Sequence, residues 1–177
     1  MNKEILRDKY LKIRRNINLV DKAKYDQEIF EKIIKLKEYT NSKLILTYVS
    51  LKDEVDTLKL IEYSICNGKK VAVPKCIGSE MKFYLINSIS DLKKGCFGIL
   101  EPINNNEAKD LENSVCIIPG ICFDKNENRI GYGGGYYDKF LNSYKGTKVG
   151  ITYKKCICSK INIDKYDIRV DKVICNN

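Results

Sequence analysis

Histidine is missing from all 177 residues. That excludes Ser-His and Cys-His catalytic couples and any His-ligated metal site. Chemistry must then run on carboxylates, Lys, Arg, Tyr, Cys, backbone dipoles or a hard cation held by oxygen. No apolar run approaches the ~20 residues needed to span a bilayer, so no membrane partner is expected. The Lys and Arg residues are spread among acids and form no basic arm, so no nucleic-acid tail is indicated. No C-x-x-C pair occurs among the eight cysteines, and only Cys156 and Cys158 stand close, as C-x-C. The first residues, Lys3, Glu4, Arg7 and Asp8, are charged, unlike a secretory leader. Free, buried thiols in a reducing cytoplasm follow, with Cys66, Cys116 and Cys175 inside apolar runs.

Hydrophobic residues make up 44% of the chain, which allows a proper core, and the length suits one domain over residues 1–177. Thirty-two Lys and Arg against 23 Asp and Glu give a net charge of +9, which favours anionic partners. Four of the 11 glycines fall within Gly131–Gly135, in the run Arg129-Ile130-Gly131-Tyr132-Gly133-Gly134-Gly135-Tyr136-Tyr137-Asp138. The run follows the apolar segment Val115–Ile118 and precedes a helix-like segment from Tyr136. Glycines let successive N–H groups turn toward one point and remove Cβ atoms that would hold an anion away. The helix after them adds unpaired first-turn N–H groups and a positive dipole end. Strand, glycine run and helix start therefore point to phosphate binding.

In chain order, Leu6, Tyr10, Ile13 and Ile17 form the stripe of a helix over 2–17. Lys3, Arg7 and Arg14 line one edge of it, either as a solvated basic face or as a cationic ladder toward a phosphate. Asn18 or Asp21 caps a second helix running to about Tyr39. This helical segment, 1–40, is expected to pack on an α/β core. Leu44–Val49 reads as a two-sided, central parallel strand. The polar turn Ser50–Thr57, a helix from Leu58 ending near Gly68, and the strand Val71–Pro74 complete a βαβ unit. Ligands bind outside the carboxyl ends of such strands, which places Glu54 and Asp56 beside the 119–138 loop. Helix capping accounts for Asp56 as well as catalysis does, whereas Glu54 is the sharper candidate. Met81–Ile86 reads as a strand, 90–112 as a loop-rich excursion, Val115–Ile118 as the strongest central strand, and 136–144 as a helix. Lys148–Tyr153 supplies a further strand, and the tail Asp167–Cys175 reads as a turn and a last short strand. The fold class is α/β: a three-layer, Rossmann-like domain with a mostly parallel central sheet flanked by helices.

Several separated segments, in order, resemble the 5-formyltetrahydrofolate cyclo-ligase (methenyltetrahydrofolate synthetase) family. They are Lys3–Arg7 with Arg14-Arg15, Tyr48–Thr57, Ile118–Asp124 running into Arg129–Asp138, and Asp167 with Val170–Val173. The resemblance implies an ATP- and Mg²⁺-dependent ligase that closes 5-formyltetrahydrofolate to 5,10-methenyltetrahydrofolate, releasing ADP and phosphate. It implies ATP contacts from Lys3, Glu4, Ile5, Leu6 and Arg7, and from Arg129, Ile130, Gly131, Tyr132, Gly133, Gly134, Gly135, Tyr136 and Tyr137. It implies folate contacts from Arg7, Val49, Glu54, Tyr132, Gly133, Gly134, Gly135 and Tyr136, with Glu54 and Tyr136 as catalytic candidates. It implies Mg²⁺ at Asp138 and Asp167. Where some members carry Lys in the glycine loop this chain has Gly134, and Lys139 is the candidate substitute. Ile163 and Tyr166-Asp167 stand where the family often has Pro and His-Asp. The expected partners are small molecules, ATP and a reduced folate, in a cytoplasmic monomer or homodimer with no nucleic acid or membrane partner. A small RNA binder using some of the 12 tyrosines, a sugar-phosphate isomerase or transferase on a similar scaffold, and a non-catalytic folate or nucleotide binder remain as alternatives.

Overall fold

A computed structural model describes residues 2–95 and 98–177. Helices α1 (Lys3–Arg15) and α2 (Leu19–Ile34) open the chain. Each is capped by an asparagine: Asn2 Oδ1 accepts from the Glu4 N–H, and Asn18 Oδ1 accepts from the Asp21 N–H at 2.8 Å. The second helix does not run on to Tyr39. It stops at Lys35, Leu36 turns extended, and α3 (Lys37–Asn41) restarts. The geometry of the helix explains the break. Tyr39 lies six residues after the buried Ile33, about 240° around a straight helix and off its apolar stripe. Restarting at Lys37 buries the Tyr39 ring, whose hydroxyl meets Ser64 Oγ at 2.8 Å.

The central sheet is built from β1 (Leu44–Thr47), β2 (Lys70–Ile77), β3 (Glu80–Ile86), β6 (Ser114–Pro119), β9 (Thr147–Ile151) and β11 (Lys172–Ile174), in the order β11-β9-β6-β1-β2-β3. The first five pair in parallel, and β3 closes the edge antiparallel to β2. Proline is tolerated at Pro74 because pairing of β2 with β1 ends at Ala72, so no ladder bond from β1 is lost there. Ile45, Val71, Val115, Ile117, Val149 and Ile151 face one core, with Leu6 and Tyr10 of α1, Ile29 and Ile33 of α2, and Leu60 and Ile61 of α4 (Leu58–Cys66). Leu46, Ala72, Cys116 and Ile118 face a second core with Leu141 of α5 (Tyr136–Ser143). Strand side chains alternate between faces, so one set of apolar strands feeds both helical layers. This is the expected three-layer α/β arrangement.

Two smaller sheets lie outside the expected pattern. The 90–112 excursion contains a hairpin, β4 (Leu92–Lys94) with β5 (Leu100–Pro102). A three-stranded sheet joins β7 (Cys122–Asp124), β8 (Arg129–Ile130) and β10 (Ile157–Cys158). Its turn is organised by Asp124, a buried carboxylate accepting from the Asn126, Asn128 and Ile161 N–H groups and from Asn128 Nδ2. Burial works against the Asp124 charge, but these donors outweigh it and hold the carboxyl below its ordinary range. The stabilisation is thus present above the ordinary aspartate value and fades as pH falls through the depressed one. Asp124→Asn is expected to lose about 1–2 kcal/mol in urea unfolding at pH 7, with the difference from the parent shrinking in strong acid.

Cys66, Cys116, Cys122, Cys156, Cys158 and Cys175 are free thiols. Cys116, Cys122, Cys156 and Cys158 are buried as expected, but Cys76 is exposed, Cys175 is half-buried, and Cys66 is exposed at the last position of α4, outside that helix's apolar stripe. Cys96 lies outside the described residues. Among those residues no helix is long and apolar enough to cross a membrane.

Candidate active site

The strand order sets the location. From β1 the chain moves outward to β2, and from β6 it moves the opposite way to β9, so the sheet reverses direction between the adjacent strands β1 and β6. The crevice outside the carboxyl ends of two such strands is where open α/β sheets bind ligands. The 48–57 turn enters it from β1. The glycine run enters it from β6 by way of β7 and β8. Helix α1 contacts β7 and β8, which carries its cationic edge to the same crevice.

Gly133 has φ +99° and Gly135 has φ +69°, conformations that glycine adopts without a Cβ penalty. Gly135 is the N-cap of α5, so the run ends on the positive end of that helix. Arg7 lies against the run: its Nε donates to Gly131 O at 3.0 Å, and an atom at the Gly133 Cβ position would stand 3.3 Å from Nη2. Tyr136 and Lys139 brace the start of α5 against the β2–β3 turn. Tyr136 Oη donates to Gly78 O at 3.2 Å and Lys139 Nζ to Ser79 O at 3.1 Å. Glu4 and Ile5 are exposed beside Lys3, whereas Leu6 is buried in the core beneath them.

Glu54 is only 5% exposed. Its Oε2 accepts from the Leu51 N–H at 2.8 Å and its Oε1 from Tyr132 Oη at 3.0 Å. Burial raises the Glu54 carboxyl above the ordinary glutamate range, and the nearby Asp53 adds to this, while the Leu51 N–H, Arg14 and Tyr132 oppose it. Burial, then Glu54, push the Tyr132 phenol up to about 12. Val49 is buried at the base of the turn. Tyr153 Oη is 3.0 Å from Glu54 O and 2.8 Å from Asp26 Oδ1, pinning the turn from below. Asp56 caps α4, its Oδ1 accepting from the Leu58 N–H at 3.1 Å. A cavity of about 390 Å³ opens between this turn and α2, where Lys22 pairs with Asp26 at 2.6 Å and Lys59 reaches Gln27.

The two carboxylates proposed for a cation lie on neighbouring segments. Asp138 Oδ1 accepts from Arg129 Nη2 at 2.9 Å and from the Ile168 N–H at 3.3 Å. Asp167 Oδ2 accepts from Lys3 Nζ and from the Asp164 N–H, and Lys3 also pairs with Asp164 at 2.6 Å. Lys3 therefore touches acids, and these hold its ammonium above the ordinary lysine range although burial works against it. No group of three His, Cys, Asp or Glu residues capable of holding a metal occurs among the described residues. Mg²⁺ needs no such group, because it is commonly held by one or two carboxylates with phosphate oxygens and water. Hard carboxylate oxygens fit that ion. Arg129 Nε and Tyr137 Oη are buried without a hydrogen-bond partner, so polar capacity remains beneath the loop.

Spacing brought Lys3 and Arg7 to the crevice, but Arg14 is placed differently from the phosphate ladder. It is 4% exposed and bonded to Asp53 and Tyr132. Its four-residue step from Tyr10 was the available signal, since that step puts it on the buried stripe.

The sequence pattern of the 5-formyltetrahydrofolate cyclo-ligase family matches residues 1–176. A probable 5-formyltetrahydrofolate cyclo-ligase of Schizosaccharomyces pombe is 31% identical, over 82% of this chain and 81% of its own. The solved 5,10-methenyltetrahydrofolate synthetase of Aquifex aeolicus superposes with a TM-score of 0.87 at 32% identity, covering 98% of this chain and 89% of the other. That of Mycoplasma pneumoniae superposes with a TM-score of 0.81 at 25% identity over the whole of both chains. A crevice floored by a glycine run and walled by a buried glutamate thus sits in a chain that belongs to the 5-formyltetrahydrofolate cyclo-ligase family, and the protein is an enzyme of that family.

Proposed function

We propose that this enzyme uses Mg-ATP to close 5-formyltetrahydrofolate to 5,10-methenyltetrahydrofolate, releasing ADP and phosphate. One observation carries the reading. Tyr132 belongs to the glycine run and yet hydrogen-bonds Glu54, so the anion cradle and the buried carboxylate share a wall. A ligase that transfers a phosphoryl group to its second substrate needs that adjacency, since such transfer rests on positioning and charge neutralisation.

In this reading the γ-phosphoryl group lies over Gly131–Gly135 with Arg7 above it. The formyl oxygen attacks phosphorus and ADP leaves. N10 then bonds the activated carbon, the carbon–oxygen bond breaks, and phosphate departs with the original formyl oxygen. The N10 proton goes to Glu54, whose ionised form is the acceptor. Val49 and Tyr136 flank the folate. Arg129 to Tyr137 and Lys3 to Arg7 border the nucleotide, with Leu6 supporting from below and Lys139 bracing α5. Asp138 and Asp167 would hold Mg²⁺, which supplies neutralisation of phosphate charge.

Purified protein with Mg-ATP and 5-formyltetrahydrofolate is expected to develop the absorbance of the methenyl product, with one ADP and one phosphate per ring closed. A chelator should stop it. Folate conversion without nucleotide loss, or nucleotide loss without the methenyl signal, would sink the proposal. Tyr10, Tyr39, Tyr48, Tyr84, Tyr144 and Tyr153 are buried, so they offer no base-stacking surface to RNA.

A further inference from the structure

Arg14 has no part in the scheme above, yet it holds one of its members, Tyr132, directly and reaches a second, Glu54, through it. Nη2 donates to Tyr132 Oη at 2.5 Å, and Nε and Nη2 donate to Asp53 Oδ2 at 3.2 and 3.0 Å. A guanidinium carries donors only, and a phenol has a single proton. With Arg14 occupying a lone pair of Tyr132 Oη, the Tyr132 proton is left to point at Glu54 Oε1. The donors therefore run one way, from α1 through the glycine run to the carboxylate.

We propose that Arg14 is a positioning residue that fixes the direction of the Tyr132–Glu54 hydrogen bond, so that the glycine run is seated and the Glu54 carboxylate oriented by one contact. The inference rests on the reading of Glu54 as the proton acceptor in ring closure. A buried arginine suits this task better than a lysine, because its planar fork reaches Asp53 and Tyr132 together. The groups that bear electrostatically on Glu54 are Arg14 from α1, Asp53 from its own turn, Tyr132 from the glycine run, Tyr48 from the end of β1 and Tyr137 from α5. Arg14 is the cation among them. Its removal favours the protonated acid, whereas removal of Asp53 favours the carboxylate.

The test is the pH profile of kcat for ring closure in Arg14→Met, Arg14→Lys, Tyr132→Phe, Asp53→Asn and the Arg14→Met/Tyr132→Phe double variant. Arg14→Met is expected to move the acid limb up by about one pH unit and to lower kcat roughly tenfold at neutral pH, with KM for ATP within about threefold of the parent. Arg14→Lys should return most of the acid limb. Asp53→Asn should move it down, which a role of Arg14 limited to holding the turn through Asp53 does not produce. The double variant should be no slower than the slower single one, because both break one chain of donors. If Arg14→Met does not fold, Tyr132→Phe, at a half-exposed residue, must still raise the acid limb. An unmoved limb in Tyr132→Phe, or additive losses in the double variant, overturns the inference. Failure of the parent protein to form the methenyl product overturns the proposed function instead.

Discussion

Glu54→Gln is expected to lower kcat for ring closure about 10²- to 10⁴-fold, the usual range for loss of a positioned acid or base. KM for ATP should change far less, because the substitution leaves the glycine run and Arg7 in place. The pH dependence is as informative as the rate. Burial raises Glu54 above the ordinary glutamate value of about 4.3, so the ionised form accumulates only above that pH. Activity should climb with pH through the raised value, and the limb should vanish in Glu54→Gln. The same burial has the opposite sign for stability. Between the unfolded and native values the native state binds the extra proton, so stability contributed at this site falls as pH rises. Asp124 behaves in reverse, gaining stability above its depressed value. A carboxylate whose ionisation works against folding is better explained by chemistry than by structure. Unchanged turnover in a folded Glu54→Gln protein would remove it from the mechanism.

The parts legible in the sequence are those whose signal is local. Val115–Ile118 and Leu44–Val49 read as central strands because a strand buried on both faces is continuously apolar, and the strands observed there are Ser114–Pro119 and Leu44–Thr47. The glycine run declared itself by composition, and Asp56 by its place before α4. What stayed hidden depends on partners far along the chain. Strands β7, β8 and β10 span two or three residues each, too short for any periodicity, and Asp124 ties them together by gathering Asn128 and Ile161. Arg14 looked like one more cation on a helix edge. Its purpose is set by Tyr132, 118 residues away, and by Asp53, 39 residues away. Lys3 likewise finds Asp167 across 164 residues. Helical spacing identified the face on which these groups lie and carried no information about what meets that face.

Gly133→Ala provides the strongest test of the anion cradle. With φ at +99° the position lies outside the left-handed region that other residues occasionally adopt, and a strained backbone of this kind costs about 1–3 kcal/mol. The new methyl group would also stand 3.3 Å from Arg7 Nη2 and 3.5 Å from Cζ, tight enough to push the guanidinium aside. If the nucleotide's phosphates lie between the run and Arg7, both effects weaken their binding, and KM for ATP should rise about 10- to 100-fold, equivalent to roughly 1.4–2.8 kcal/mol. Gly68→Ala supplies the matched control. Gly68 has φ +73°, nothing within 4 Å of its missing Cβ, and a place at the end of α4 away from the crevice. That variant should lose about 1–2 kcal/mol of stability from backbone strain and leave KM for ATP unaltered. Comparing the two by thermal unfolding and nucleotide titration separates strain from lost binding. Equal losses of stability, with KM for ATP unchanged in Gly133→Ala, would mean that the phosphates are held somewhere other than the glycine run.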